Sequence, residues 1–133
     1  MEDVKIKLSI LWITRLLTGF VGDIIRFLEP GKLEQIISGE IWGGIPMTNE
    51  LLLLITLITV IPAVMVFPSL TLPDKANRWV NLIVGIFMVG FDLVFLITAI
   101  LTVPAYEIFL GILYLVFTAL IVWYAWKWPK QEE

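Results

Sequence analysis

The sequence predicts an all-α integral membrane protein, a four-helix bundle of antiparallel up-down topology carried in one domain over residues 1–133. Three observations lead there. The 133 residues are 59% hydrophobic with a mean hydropathy of +0.96, well above the apolar share of a soluble domain. The apolar residues are gathered into four runs, each close to the roughly 20 residues that cross a bilayer core. The links between the runs are short, which makes consecutive helices antiparallel neighbours.

Span 1 runs from about residue 8 to 28, after a short polar lead containing Lys5 and Lys7. Glu29-Pro30-Gly31 should end it, since Pro disfavours a helical residue before it and Gly permits a sharp turn. The segment has no small-residue cleavage site, so it reads as a retained span and not as a removed signal peptide. Residues 32–40 place Leu33, Ile36 and Ile37 at helical spacing among charged neighbours, the pattern of a short amphipathic helix lying at the membrane surface. Residues 41–46 break regular structure, and Trp42 suits the interface.

Span 2 covers about 51–70. Thr48-Asn49-Glu50 offers N-terminal caps, and Pro62 predicts a bend in its second half. Residues 71–78 form a polar link. Span 3 covers about 79–101, Val103-Pro104-Ala105 is a tight connection, and span 4 covers about 106–126. Trp123, Tyr124, Trp126 and Trp128 close span 4 as an aromatic belt at the interface. Lys5, Lys7, Lys75, Arg78, Lys127 and Lys130 fall on one side, against Lys32 alone in the opposing loops. The excess of positive charge belongs inside, so both termini are expected in the cytoplasm, with the protein multi-pass in the cell membrane.

Composition narrows the chemistry. Cys and His are both absent, which removes disulfides, thiol redox chemistry, Cys/His zinc sites and any Ser-His-Asp triad. The net charge of −3 gives no basic footprint for nucleic acid. No catalytic residue, metal site or cofactor is expected. The expected partners are the lipid bilayer and, for any conducting function, further copies of the chain in a homo-oligomer.

The ionisable residues inside the spans are the candidate site. Span 1 carries Arg15, Asp23 and Arg26, and span 3 carries Asp92. Such groups are costly in lipid and usually face protein or a water-filled cavity. At about 100° per residue, Arg15, Gly19, Gly22 and Arg26 share one face of span 1. Asn81, Gly85, Met88, Asp92 and Ala99 share one face of span 3. Glu107, Gly111, Tyr114, Thr118 and Ala125 line span 4, and Thr56, Thr59 and Ala63 line span 2. Gly19, Gly22, Gly85 and Gly111 are read as packing positions where neighbouring helices approach closely.

Counting about 1.5 Å per residue places Asp92 level with Asp23, between Arg15 and Arg26. The four charges sum to zero, and either arginine can hold Asp92 with two parallel hydrogen bonds. One reading is an internal ion-pair network that fixes helix register. Another is a proton, ion or small-ligand site, and a third is an intermolecular contact. Glu107 and the loop acids are expected in solvent, and Asn77 and Asn81 as helix-end partners.

Residues 22–31 (Gly-Asp-Ile-Ile-Arg-Phe-Leu-Glu-Pro-Gly), the Leu72–Trp79 link, Phe91-Asp92-Leu93 and the Val122–Trp128 stretch resemble an uncharacterised family of small four-span prokaryotic membrane proteins. A looser likeness, of size and span count, is to the DoxX-like four-span proteins. Neither resemblance implies an activity. A transporter or channel, a membrane partner subunit or scaffold, and an enzyme built on carboxylates all remain open.

Overall fold

In lipid every backbone polar group must be satisfied within its own segment, so long apolar runs fold as helices. The computed structural model describes residues 2–41, 45–102 and 105–132, without the side chains of Glu2, Ile41, Ile45, Thr102 and residues 129–132. Its order is α1 (Glu2–Leu28), α2 (Lys32–Ile37), β1 (Glu40–Ile41), β2 (Ile45–Pro46), α3 (Asn49–Thr59), α4 (Ile61–Thr71), α5 (Asp74–Thr102) and α6 (Ala105–Glu132). Four segments are long and apolar enough to cross a membrane: Asp3–Leu28, Asn49–Thr71, Asp74–Leu101 and Ala105–Trp128. They pack as an up-down bundle. α1 lies between α4 and α6, α5 packs along α6, and α4 closes the ring against α5.

Several expectations shift in detail. The polar lead and most of the 71–78 link are helical, forming the first turns of α1 and α5. α2 stops at Ile37, and Gly39 turns the chain at φ +87°. The stretch expected to be irregular holds a two-residue antiparallel ladder, Glu40 opposite Pro46 and Ile41 opposite Ile45. Trp42 and the Val103-Pro104 connection lie outside the described residues. Leu28 ends α1 as expected, and Gly31 takes the left-handed turn at φ +86°.

Span 2 is two helices. Pro62 has no N–H for the Ile58 carbonyl, and its ring crowds that carbonyl. α3 therefore ends at Thr59 and α4 starts at Ile61. Pro68 is accommodated inside α4. The Thr48 hydroxyl caps α3 by accepting from the Leu51 amide at 3.1 Å.

The apolar core sits at the end where both termini lie, called here the terminal end. Val4, Leu8 and Trp12 of α1 meet Met65 of α4, Met88 of α5, and Ile121 and Trp128 of α6. Trp128 is therefore a core residue and not part of an interfacial belt, whereas Trp123 and Trp126 are exposed. The expected inward stripe of span 2 is also corrected. Thr56, Thr59 and Ala63 are exposed, and Pro62, Met65 and Ser69 face inward. Thr56 and Thr59 donate to carbonyls of their own helix, Leu52 and Ile55, each at 2.8 Å. A hydroxyl satisfied this way has no need of the bundle interior.

Candidate functional site

The four ionisable residues do not form one network. They divide into two clusters at different depths, joined by Tyr114.

In the middle of the bundle, Arg15 of α1 holds Asp92 of α5. Arg15 Nη2 donates to Asp92 Oδ1 at 2.7 Å and Nε donates to Oδ2 at 3.1 Å. This is the two-point geometry that a planar guanidinium makes with a carboxylate. The Asp92 side chain is fully buried and that of Arg15 is 10% exposed. The Thr118 hydroxyl of α6 lies 3.1 Å from Asp92 Oδ2 and 3.0 Å from the Tyr114 carbonyl, and donates its proton to one of them. The guanidinium also stands over the Tyr114 ring, 4.0 Å from its centroid, a favourable cation–π placement. Three helices therefore meet at one ion pair.

The glycines make room for this arrangement. A Cβ on Gly19 would lie 3.3 Å from Arg15 Nη1. A Cβ on Gly22 would collide with the Tyr114 hydroxyl, so that residue fixes where the tyrosine ends. A Cβ on Gly85 would lie 2.9 Å from Val122 Cγ2, and one on Gly111 would lie 3.3 Å from Leu96 Cα. Both are close approaches between α5 and α6, of the kind small residues permit in membrane helix packing.

The second cluster lies toward the opposite end, called the loop end. Arg26 Nε donates to Glu107 Oε1 at 2.5 Å, and Nη1 donates to Asp23 Oδ1 at 2.8 Å. Arg26 is thus held by Glu107 and Asp23, not by Asp92. Two expectations are corrected here. Glu107 is partly buried and paired, not solvated, and the Asp23 side chain is 61% exposed, outside the buried network. Beyond them the Tyr106 hydroxyl donates to Glu29 Oε1 at 2.6 Å. Among the described residues no group of three carboxylates is placed to hold a metal ion.

A third polar cluster, uncharged, lies near the terminal end. Trp12 Nε1 donates to Asn81 Oδ1 at 2.8 Å, and Asn81 Nδ2 donates to Asn77 Oδ1 at 2.6 Å. Asn77 Nδ2 donates to the Ser69 carbonyl at 2.8 Å. The Ser69 carbonyl would take its helical hydrogen bond from residue 73, which is proline and has no N–H. The neighbouring Arg78 serves α6 in the same way. Its Nε donates at 3.1 Å to the carbonyl of Ala125, whose helical donor would be Pro129. Asn77 and Asn81 are more than helix-end partners: both are fully buried and tie α1, α4 and α5 together. Sequence reasoning passed over Ser69 and Arg78 as partners. The available signal was a proline four residues after each orphaned carbonyl.

A model of the family of unknown function DUF6326 matches residues 1–133, and the chain belongs to that family. No match is found among curated proteins or among solved structures.

Proposed function

We propose, from this membership and this geometry, that the chain is a small prokaryotic multi-pass protein of the cell membrane with both termini cytoplasmic. In this reading Arg15–Asp92 is a fastener between spans 1, 3 and 4 and not a reacting centre. The observation that carries it is the occupancy of Asp92. Both carboxylate oxygens are taken by Arg15, and one of them also lies within reach of Thr118. A buried carboxylate so engaged has little capacity left for a proton or a passing ion. Likeness to DoxX-like proteins is taken as one of architecture alone.

The orientation rests on charge. Lys5, Lys7, Lys75, Arg78 and Lys127 lie at the terminal end, and Lys32 at the loop end. Bilayer lipid is the partner that the exposed apolar surface of every span supports. α2 buries no residue and exposes Leu33, Ile36 and Ile37, which suits a helix resting on the membrane surface or against a protein partner. Reporters fused to each terminus test the orientation; an external C-terminus rejects it.

A second reading, an oligomeric ion, proton or small-solute pathway, is favoured by one observation. The Tyr114 hydroxyl, set against Gly22, stands between the buried pair and the Arg26–Glu107–Asp23 cluster, so polar groups continue from mid-bundle to the loop end. Four spans leave no wide pore, so conduction would need a homo-oligomer. Proton or ion flux in proteoliposomes that is lost in a folded Asp92→Asn/Arg15→Gln double variant would replace the fastener reading with this one.

A further inference from the structure

Among the described residues, α3 is the helix of the four spans that has no fully buried residue, while α4, its continuation, buries Pro62, Met65 and Ser69. Its least exposed residues are Leu51, Ile55 and Ile58. Together with Pro62, Met65 and Ser69 they form one unbroken stripe at helical spacing of three and four. The stripe is thus written for a single straight span, yet only its α4 half reaches full burial, while Leu51, Ile55 and Ile58 stay half-buried. The bend explains why. Pro62 and Ile58 both lie on the inward stripe, so the ring of Pro62 crowds a carbonyl on the bundle side and turns α3 outward.

The surface that a straight span would cover is also identifiable. The Ser9 hydroxyl donates to the Val66 carbonyl at 3.1 Å, which fixes the antiparallel register of α4 on α1. The α1 face bearing Ser9 continues at helical spacing through Leu16, Phe20, Asp23 and Phe27. Phe20 and Phe27 are exposed, and so is Asp23. Carrying the register onward brings Ile55 level with Phe20 and Ile58 level with Leu17. Among the described residues, and beyond the backbone of α1 itself, only the Arg15 guanidinium comes within 4 Å of the Cβ position of Gly19, so the α1 backbone beside the ion pair has space in front of it.

We propose that α3 is a hinged flap, pivoting at Thr59–Val60–Ile61 between the open position of this structure and a closed one on α1. Closing seats Leu51, Ile55 and Ile58 on the Leu16–Phe27 face and shuts the side of the bundle where Asp23 is exposed. Hinges of this kind need only a few element-terminal residues to absorb the change in backbone angles. The occupant of the α1 face is then this chain's own α3, not lipid alone and not a second copy.

The chain has no cysteine, so introduced pairs can be read without background. Phe20→Cys with Ile55→Cys tests closure in native membranes, with Ser9→Cys/Val66→Cys as the packed pair for comparison. The flap predicts an intramolecular crosslink for the Phe20/Ile55 pair, slower than for the packed pair, and faster again when Pro62→Ala is added. A crosslink between two chains would place a second copy on this face and overturn the proposal. No crosslink, or one seen only with Pro62→Ala, would show a fixed bend and overturn it equally.

Discussion

The terminal half of the bundle and its loop half are built from the same four spans but held in different ways. At the terminal end four helices close around an apolar core, and Asn77 and Arg78 take up the carbonyls that Pro73 and Pro129 leave without donors. Among the described residues, Trp128 Nε1 is the buried side-chain polar atom there without a partner. At the loop end α3 has no fully buried residue, and the described polar and ring contacts join α1, α5 and α6 through Arg26, Glu107, Phe95 and Tyr114. Arg15–Asp92 sits at the boundary. The difference teaches that apolar length alone does not pack a membrane span, since lipid is as apolar as Leu. Within the spans, α3 is among the most apolar helices and yet has no fully buried residue. What holds the other spans is close approach at glycine and polar groups that find partners.

The comparison can be broken by substitution. The largest effect is expected at the boundary. Arg15→Ala leaves Asp92 buried and uncompensated, a loss of about 3–5 kcal/mol. Lys32→Ala removes a half-exposed charge 3.9 Å from Glu29, at the outer limit of an ion pair, and such pairs near the surface contribute about 0–1 kcal/mol. Thermal unfolding in detergent should rank the two variants in that order. Equal losses would place Arg15 among the surface charges.

Next come the glycines. Gly22→Ala drives a methyl into the Tyr114 hydroxyl and should cost about 1–3 kcal/mol, as overpacked cores do. Among the described residues a Cβ on Gly90 meets nothing within 4 Å beyond its own helix, so Gly90→Ala should be neutral or stabilising by up to about 1 kcal/mol through helix propensity. A Gly90→Ala variant as damaged as Gly22→Ala would mean that the lipid-facing side of α5 is an interface. The smallest effect is expected in α3. Leu53→Ala removes an exposed side chain and should change stability by less than about 0.5 kcal/mol. A loss of core size there would mean that α3 is packed in the membrane.

Much of this arrangement is legible in the sequence. The stripe of Asn81, Gly85, Met88, Asp92 and Ala99 on span 3 is buried throughout, as helical arithmetic requires. Gly111, Tyr114, Thr118 and Ala125 on span 4 are buried too. The partner of Asp92 is not legible, because a Glu107 placed in solvent leaves Arg26 available to it. Once Glu107 takes Arg26, Arg15 is left for Asp92. The stripe of span 2 is missed for a different reason. Polarity is a poor mark of the inward face there, since threonine hydroxyls can bond their own helix and face outward, and the true stripe is mostly apolar. The roles of Asn77 and Arg78 lie in proline chemistry at positions 73 and 129, visible only when each missing N–H is matched to its carbonyl.

The central claim is that Asp92 is held by Arg15 and not by Arg26. A double-mutant cycle tests it directly: Asp92→Asn with Arg15→Gln, and Asp92→Asn with Arg26→Gln, each read as thermal stability in the same detergent. The Arg15 cycle should show a coupling on the order of 0.5–3 kcal/mol, with the double variant recovering some of the loss of the Asp92→Asn single variant, because two neutral groups replace one stranded charge. The Arg26 cycle should be additive within about 0.5 kcal/mol. Additivity with Arg15, or equal coupling with both arginines, would contradict the account.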